Sequence, residues 1–153
     1  MVELLRHPRT MAEVQAEVRQ AMKGNSSFEQ NNVVSNMKYL KLVDKEILRL
    51  HPPGPMIPRS SNEKHLINGY TILDGAMVLV NVRAMQRDPR NWKDPKKFEP
   101  ERFEDKAVDF TGGDFEYLPF GTGKRMCPRM TFNLATVESA LAQMLHETEK
   151  SPD

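Results

Sequence analysis

Cysteine is nearly absent from this 153-residue sequence: only Cys127 occurs, which excludes an internal disulfide and any multi-cysteine zinc cluster. Long apolar runs are also missing. The longest is Ala76 to Val80, too short for a transmembrane helix. At the start, Arg6, His7 and Arg9 follow only a brief apolar stretch, unlike a signal peptide. No charge of one sign predominates. With 22 basic and 21 acidic residues there is no electrostatic case for nucleic acid as principal partner. What remains, 39% hydrophobic residues in a chain of this length, suits one domain and permits a soluble intracellular protein. Proline is in excess: eleven residues, most between Pro52 and Pro128, exceed the roughly 5% average and predict a turn-rich middle.

Three helical stretches frame that middle. Residues 8–23 carry Met11, Val14, Val18 and Met22 at three- and four-residue steps, with Pro8 at the start and Gly24 as a stop. A polar loop is expected at 25–32. The second helix, residues 36–50, places Leu40, Val43, Ile47 and Leu50 on one face and ends at His51-Pro52-Pro53. Glu46 falls within that apolar arc and Arg49 at its edge. A carboxylate there is costly unless paired, and Arg49 at i+3 is its local partner. The third helix, residues 128–146, repeats through Leu134, Val137, Leu141 and Leu145.

Between them, Asn68-Gly69 predicts a hairpin joining His65–Ile67 to Tyr70–Leu73, and Asp74-Gly75 turns the chain into 76–81. This makes a small β region over 64–81. Residues 87–127 read as a long coil, a length that usually has a purpose. In it, Arg102 of Pro100-Glu101-Arg102-Phe103 is placed to reach Glu46 as a second arginine and pin the coil to the helix.

The most informative segment is Phe120-Gly121-Thr122-Gly123-Lys124-Arg125-Met126-Cys127. A phosphate loop fails, because it requires Gly where Leu118 stands and Ser or Thr where Arg125 stands. A lone cysteine is ordinarily a small buried hydrophobe. Here it sits in a glycine-containing loop beside Lys124 and Arg125, at the start of a helix, features that favour a thiolate. Such a thiolate is a nucleophile or a metal ligand. A nucleophile needs a base, for which His51 or His65 could approach through the fold.

Phe120, Gly123, Arg125 and Cys127 resemble the haem-binding loop F-x-x-G-x-R-x-C-x-G of the cytochrome P-450 family. Glu46-x-x-Arg49 and Pro100-Glu101-Arg102-Phe103 are similar to its other two signatures, in the family's order. The surrounding text, YLKLVDKEILRLHPPGP (39–55), INGYTI (67–72) and RDPRNWKDPKKFEPERF (87–103), resembles plant microsomal members. The resemblance implies a mainly α fold with a small β region. Residues 1–153 are then a single incomplete domain, the C-terminal haem-ligating portion truncated at both ends.

It further implies haem b as cofactor and Cys127 as axial thiolate. Arg125 and Arg59 pair with the haem propionates, Phe120 packs beside the thiolate, and Gly121 and Gly123 let the loop approach the macrocycle. Glu46, Arg49 and Arg102 form a structural triad, and no catalytic residue is assigned. Family members insert one oxygen atom from O2 into a small lipophilic substrate, with electrons from an NADPH-dependent reductase. Members of this type reside in the endoplasmic-reticulum membrane by an N-terminal anchor; without it the resemblance assigns this chain no location, and a cytoplasmic one is expected only if it is soluble.

Several positions depart from the pattern. Arg129 stands where the family has glycine, so its side chain must be redirected or the cofactor displaced. Asp44 replaces an apolar residue, Arg83 an aromatic or small one, and 55–59 is one residue short. Met1–His7 corresponds only to the last turn of the oxygen-activating helix. The expectation is a chain inactive alone; the rival is a remnant that binds no haem. A redox-sensing thiol protein is a third reading, but it ignores two of the three signatures.

Overall fold

The computed structural model describes residues 1–23, 34 and 36–148. The expected loop at 25–32, the stop at Gly24 and the tail after Thr148 lie outside the described residues. The chain is mainly helical with a small strand region and divides into two compact units. The first comprises Met1–Leu48, Lys97–Val108 and Cys127–Asp153; the second comprises Arg49–Lys96 and Asp109–Met126.

In the first unit, α1 (Val2–Arg6) leads through His7 into α2 (Pro8–Met22), which starts on the proline its missing N–H suits. The three- and four-residue spacing buries Val14, Val18 and Met22, and α2 packs against α1 and α5 (Met130–Glu147). The next helix, α3 (Lys38–Leu50), begins two residues later than Asn36, where its start was expected. The reason lies in another helix. Glu17 of α2 accepts hydrogen bonds from the backbone N–H groups of Tyr39 (2.9 Å) and Leu40 (2.8 Å). A carboxylate therefore satisfies orphan donors at the positive end of α3, so no local cap is needed.

Likewise α5 starts at Met130 rather than 128, since Pro128 and Arg129 still have to turn the chain; Arg129 is the N-cap residue. Leu141, Ala142 and Leu145 of α5 are buried, but Val137, expected inward, is 52% exposed. Phe132 and Met144 are exposed too, so α5 is apolar on more than one face and periodicity alone could not orient it.

In the second unit, β2 (His65–Ile67) and β3 (Tyr70–Ile72) form the expected antiparallel hairpin. Asn68 and Gly69 both have positive φ (48° and 84°), as a two-residue type I′ turn requires. The third strand of the expected region, β4 (Met77–Val80), does not extend this hairpin. It pairs antiparallel with β1 (Ile57–Ser60), in the register Ile57↔Val80 to Ser60↔Met77. Two separate two-stranded ladders result.

A short helix, α4 (Val82–Met85), follows β4 and is capped by Asn81, whose Oδ1 accepts from Ala84 N–H at 2.9 Å. The long coil contains 3₁₀ turns at Gly123–Arg125 in this unit and at Pro100–Phe103 in the first. In the second unit the coil is held by a side chain standing in for a strand. Gln86, fully buried, donates to Arg49 O (2.9 Å) and accepts from Leu118 N–H (2.7 Å). A buried amide with donor and acceptor both used orders the coil without regular structure.

Candidate functional site

Cys127 lies in the first unit, three residues before α5, with its thiol partly exposed. Among the described residues its only hydrogen-bond partner is Asn133, whose Nδ2 lies 3.8 Å from Sγ. His65 faces Glu63 at 4.0 Å. Among the described residues no group of three or more His, Cys, Asp or Glu side chains is placed to hold a metal ion.

The loop before it belongs to the second unit. Gly121 and Gly123 have φ of 77° and 70°, backbone that L side chains rarely adopt. Gly121 is also buried, and a Cβ there would meet Ile57 Cδ1 at 3.5 Å. Phe120 packs edge-on against Phe110, with centroids 6.0 Å apart. Arg59 and Arg125, expected to act as a pair, line one cleft of about 540 Å³ with Pro58, Ser60, Gly75 and Met77. Among the described residues no carboxylate lines it. Arg59 donates to the neighbouring Pro58 O (3.1 Å), and Arg125 is exposed. Two guanidiniums on one cleft are chemically suited to carboxylate groups.

The acid and arginines of the other two signatures are buried. Glu46 of α3 is fully buried; its Oε1 accepts from Arg102 Nε (3.1 Å) and from the Glu99 backbone N–H (2.9 Å). The reach of Arg102 to Glu46, expected from sequence, is thus present in the first unit. Arg49, also fully buried, belongs to the second unit. It donates to the carbonyls of Gln86 (2.9 Å) and Pro95 (2.8 Å), and its guanidinium lies 5.0 Å from the Trp92 ring. Trp92 is itself buried, donating to Glu116 O (3.2 Å) and meeting Tyr117 edge-on.

Sequence reasoning missed Gln86, Trp92 and Asn133. The single tryptophan, in a coil rich in proline and charge, was the one available signal for the first two. Of the departing positions, Asp44 is buried in α3, Arg83 lies on α4 in the second unit, and Arg129 is exposed with ordinary backbone angles (φ −106°, ψ 23°).

A half-exposed thiol at a helix start, a two-arginine cleft and a buried acid–arginine pair make haem-thiolate proteins the class to compare. The sequence matches the cytochrome P-450 family profile over residues 1–152, and the chain belongs to that family. It is 54% identical over 147 residues to premnaspirodiene oxygenase of Hyoscyamus muticus. It is 51% identical over 147 residues to 5-epiaristolochene 1,3-dihydroxylase of Nicotiana tabacum, and 51% over 146 residues to a melianol synthase of Melia azedarach. Each match covers 95% of this chain and 29% of the relative, so the chain spans less than a third of their length. No helix among the described residues is long and apolar enough to cross a membrane.

Proposed function

We propose that this chain is the haem-ligating segment of a monooxygenase that inserts one oxygen atom of O2 into a small lipophilic substrate. The observation that carries the reading is the cleft lined by both Arg59 and Arg125, two residues far apart in sequence singled out for one role. Cys127 would supply the axial thiolate and the two arginines would hold the propionates. Gly121 and Gly123 give the loop a left-handed path that keeps side chains out of its way. Haem, when bound, supplies the activation of dioxygen, with electrons delivered by an NADPH-dependent reductase. Glu46, Arg49 and Arg102 hold α3 and the coil in shape and take no part in the chemistry. The oxygenase and dihydroxylase activities named for two of the relatives favour the same reaction class.

The test is the carbon-monoxide spectrum of the reduced chain after loading with haem. A thiolate-type red-shifted band is expected, lost in Cys127→Ala; no band, or a histidine-type band, overturns the assignment. The 153-residue chain by itself is expected to show no reductase-dependent oxygen incorporation. The segments that enclose substrate belong to the part of the relatives it does not match.

A second reading, a remnant that binds no haem, is favoured by Arg129. Against it, the backbone at 129 does not need glycine and the side chain reaches solvent. Arg129→Gly is therefore expected to leave haem affinity within about threefold, roughly 0.7 kcal/mol. A gain of tenfold or more measured by haem titration would establish the clash and support the remnant.

A further inference from the structure

We propose that Asn133 is a positioning residue for the Cys127 sulfur, its side-chain amide drawing charge from the ligand and so setting the electron affinity of the iron. The inference rests on the reading of Cys127 as haem ligand. Asn133 stands in the first turn of α5, its backbone N–H bonded to Arg129 O at 2.9 Å, so its Cα is fixed. Helical side chains lean towards the N-terminus, and this one leans back over the turn that leaves Cys127. Its Nδ2 reaches Sγ at 3.8 Å, within range for a donor to sulfur.

Neither group has another side-chain hydrogen bond among the described residues, so the contact is not a by-product of a larger network. Asparagine also disfavours helix interiors, because its amide competes for backbone groups. Here the amide makes no such bond. The orientation follows from charge. As a metal ligand the sulfur would be a thiolate, which accepts and cannot donate, so the NH2 end would face it, as it does here. A hydrogen bond to an ionised acceptor is roughly twice as strong as a neutral one. Partners of a metal's ligand tune the metal through the ligand's basicity, and a donor to sulfur makes it a weaker electron donor.

The experiment has two arms on the full chain. In the haem-free protein, the Asn133 side-chain amide signals in ¹H–¹⁵N spectra are followed in wild type and Cys127→Ala. The hydrogen bond predicts that they move, while other asparagine side chains stay in place; unmoved signals overturn the proposal. In the haem-loaded protein, the reduction potential is compared between wild type, Asn133→Ala and Asn133→Gln.

Loss of the donor is expected to raise the oxidised-to-reduced ratio at a given potential about tenfold, a shift of about 59 mV to more negative values. Asn133→Gln, which keeps the donor, is expected to recover part of it. An unchanged potential in Asn133→Ala overturns the proposal, since a merely structural residue would alter folding and leave the iron alone. A chain that takes up no thiolate-ligated haem overturns the functional reading beneath it, and the haem-free arm still decides whether Asn133 engages the sulfur.

Discussion

Arg102→Ala is expected to destabilise the protein by about 3 kcal/mol, because it removes a charged partner from a carboxylate that has no access to water. Glu46 is 0% exposed and the Arg102 side chain only 8%. The arginine is not simply a counter-charge. Besides its Nε bond to Glu46 it donates to Lys97 O and approaches Glu99 Oε2, both at 3.3 Å, while Glu99 donates its own N–H to Glu46. One guanidinium thus closes a ring joining α3 to the coil at 97–102. The deletion removes both the charge and the coil's attachment. Urea unfolding of Arg102→Ala, Glu46→Leu and the double variant tests this. The double variant is expected to lose less than the sum of the singles, because both singles break the same buried ion pair. An Arg102→Ala loss below about 1 kcal/mol would mean that the other partners of Glu46 suffice to hold it.

That Glu46 is buried and paired was legible in the sequence, and the reason is local. A carboxylate inside the apolar arc of a helix announces a buried pair from a dozen residues alone. The Asn68-Gly69 hairpin was legible for a similar reason, since the turn's positive φ values are dictated by those two residues. What was not legible depends on remote partners. The strand paired with β4 is β1, which contains Pro58 and is four residues long, so no pattern marks it. Arg49 was expected in a structural triad with Glu46 and Arg102; its bonds to two carbonyls of the coil and its place on the face of Trp92 were not foreseen. The start of α3 was misplaced because its cap is a side chain of α2. In the candidate site, Cys127 and the two arginines were expected from the family resemblance. Asn133 was not, because its contact with sulfur arises from how the chain enters α5.

Asp44→Asn is expected to stabilise the protein, by an amount that depends on pH in a direction fixed by burial. Asp44 occupies the buried face of α3 at 4% exposure, and its Oδ2 is buried with no hydrogen-bond partner. Burial raises its pKa from 3.8 to about 7. The negative charge of Glu138 adds to this, and the Met1 amino group opposes it. Glu138 is itself raised by burial, with Lys41 pulling the other way. The folded state therefore keeps a proton on Asp44 that the unfolded chain has already released. Its stability is fully present below about pH 4, falls as pH rises between the two values, and levels off above about 7. Each tenfold difference in proton affinity is worth about 1.4 kcal/mol, so the loss at pH 8 is on the order of 4 kcal/mol. Asparagine has a similar shape and no charge to desolvate. Its advantage over Asp44 should be small at pH 3.5, grow through pH 5 and 6, and reach its full value near pH 8. Urea midpoints of the two proteins across that range decide the matter, provided the slope m is unchanged. Parallel profiles would show that Asp44 gains solvent or a cation when it ionises. Diverging profiles would show that Asp44 ionises within the folded protein and at a cost to its stability.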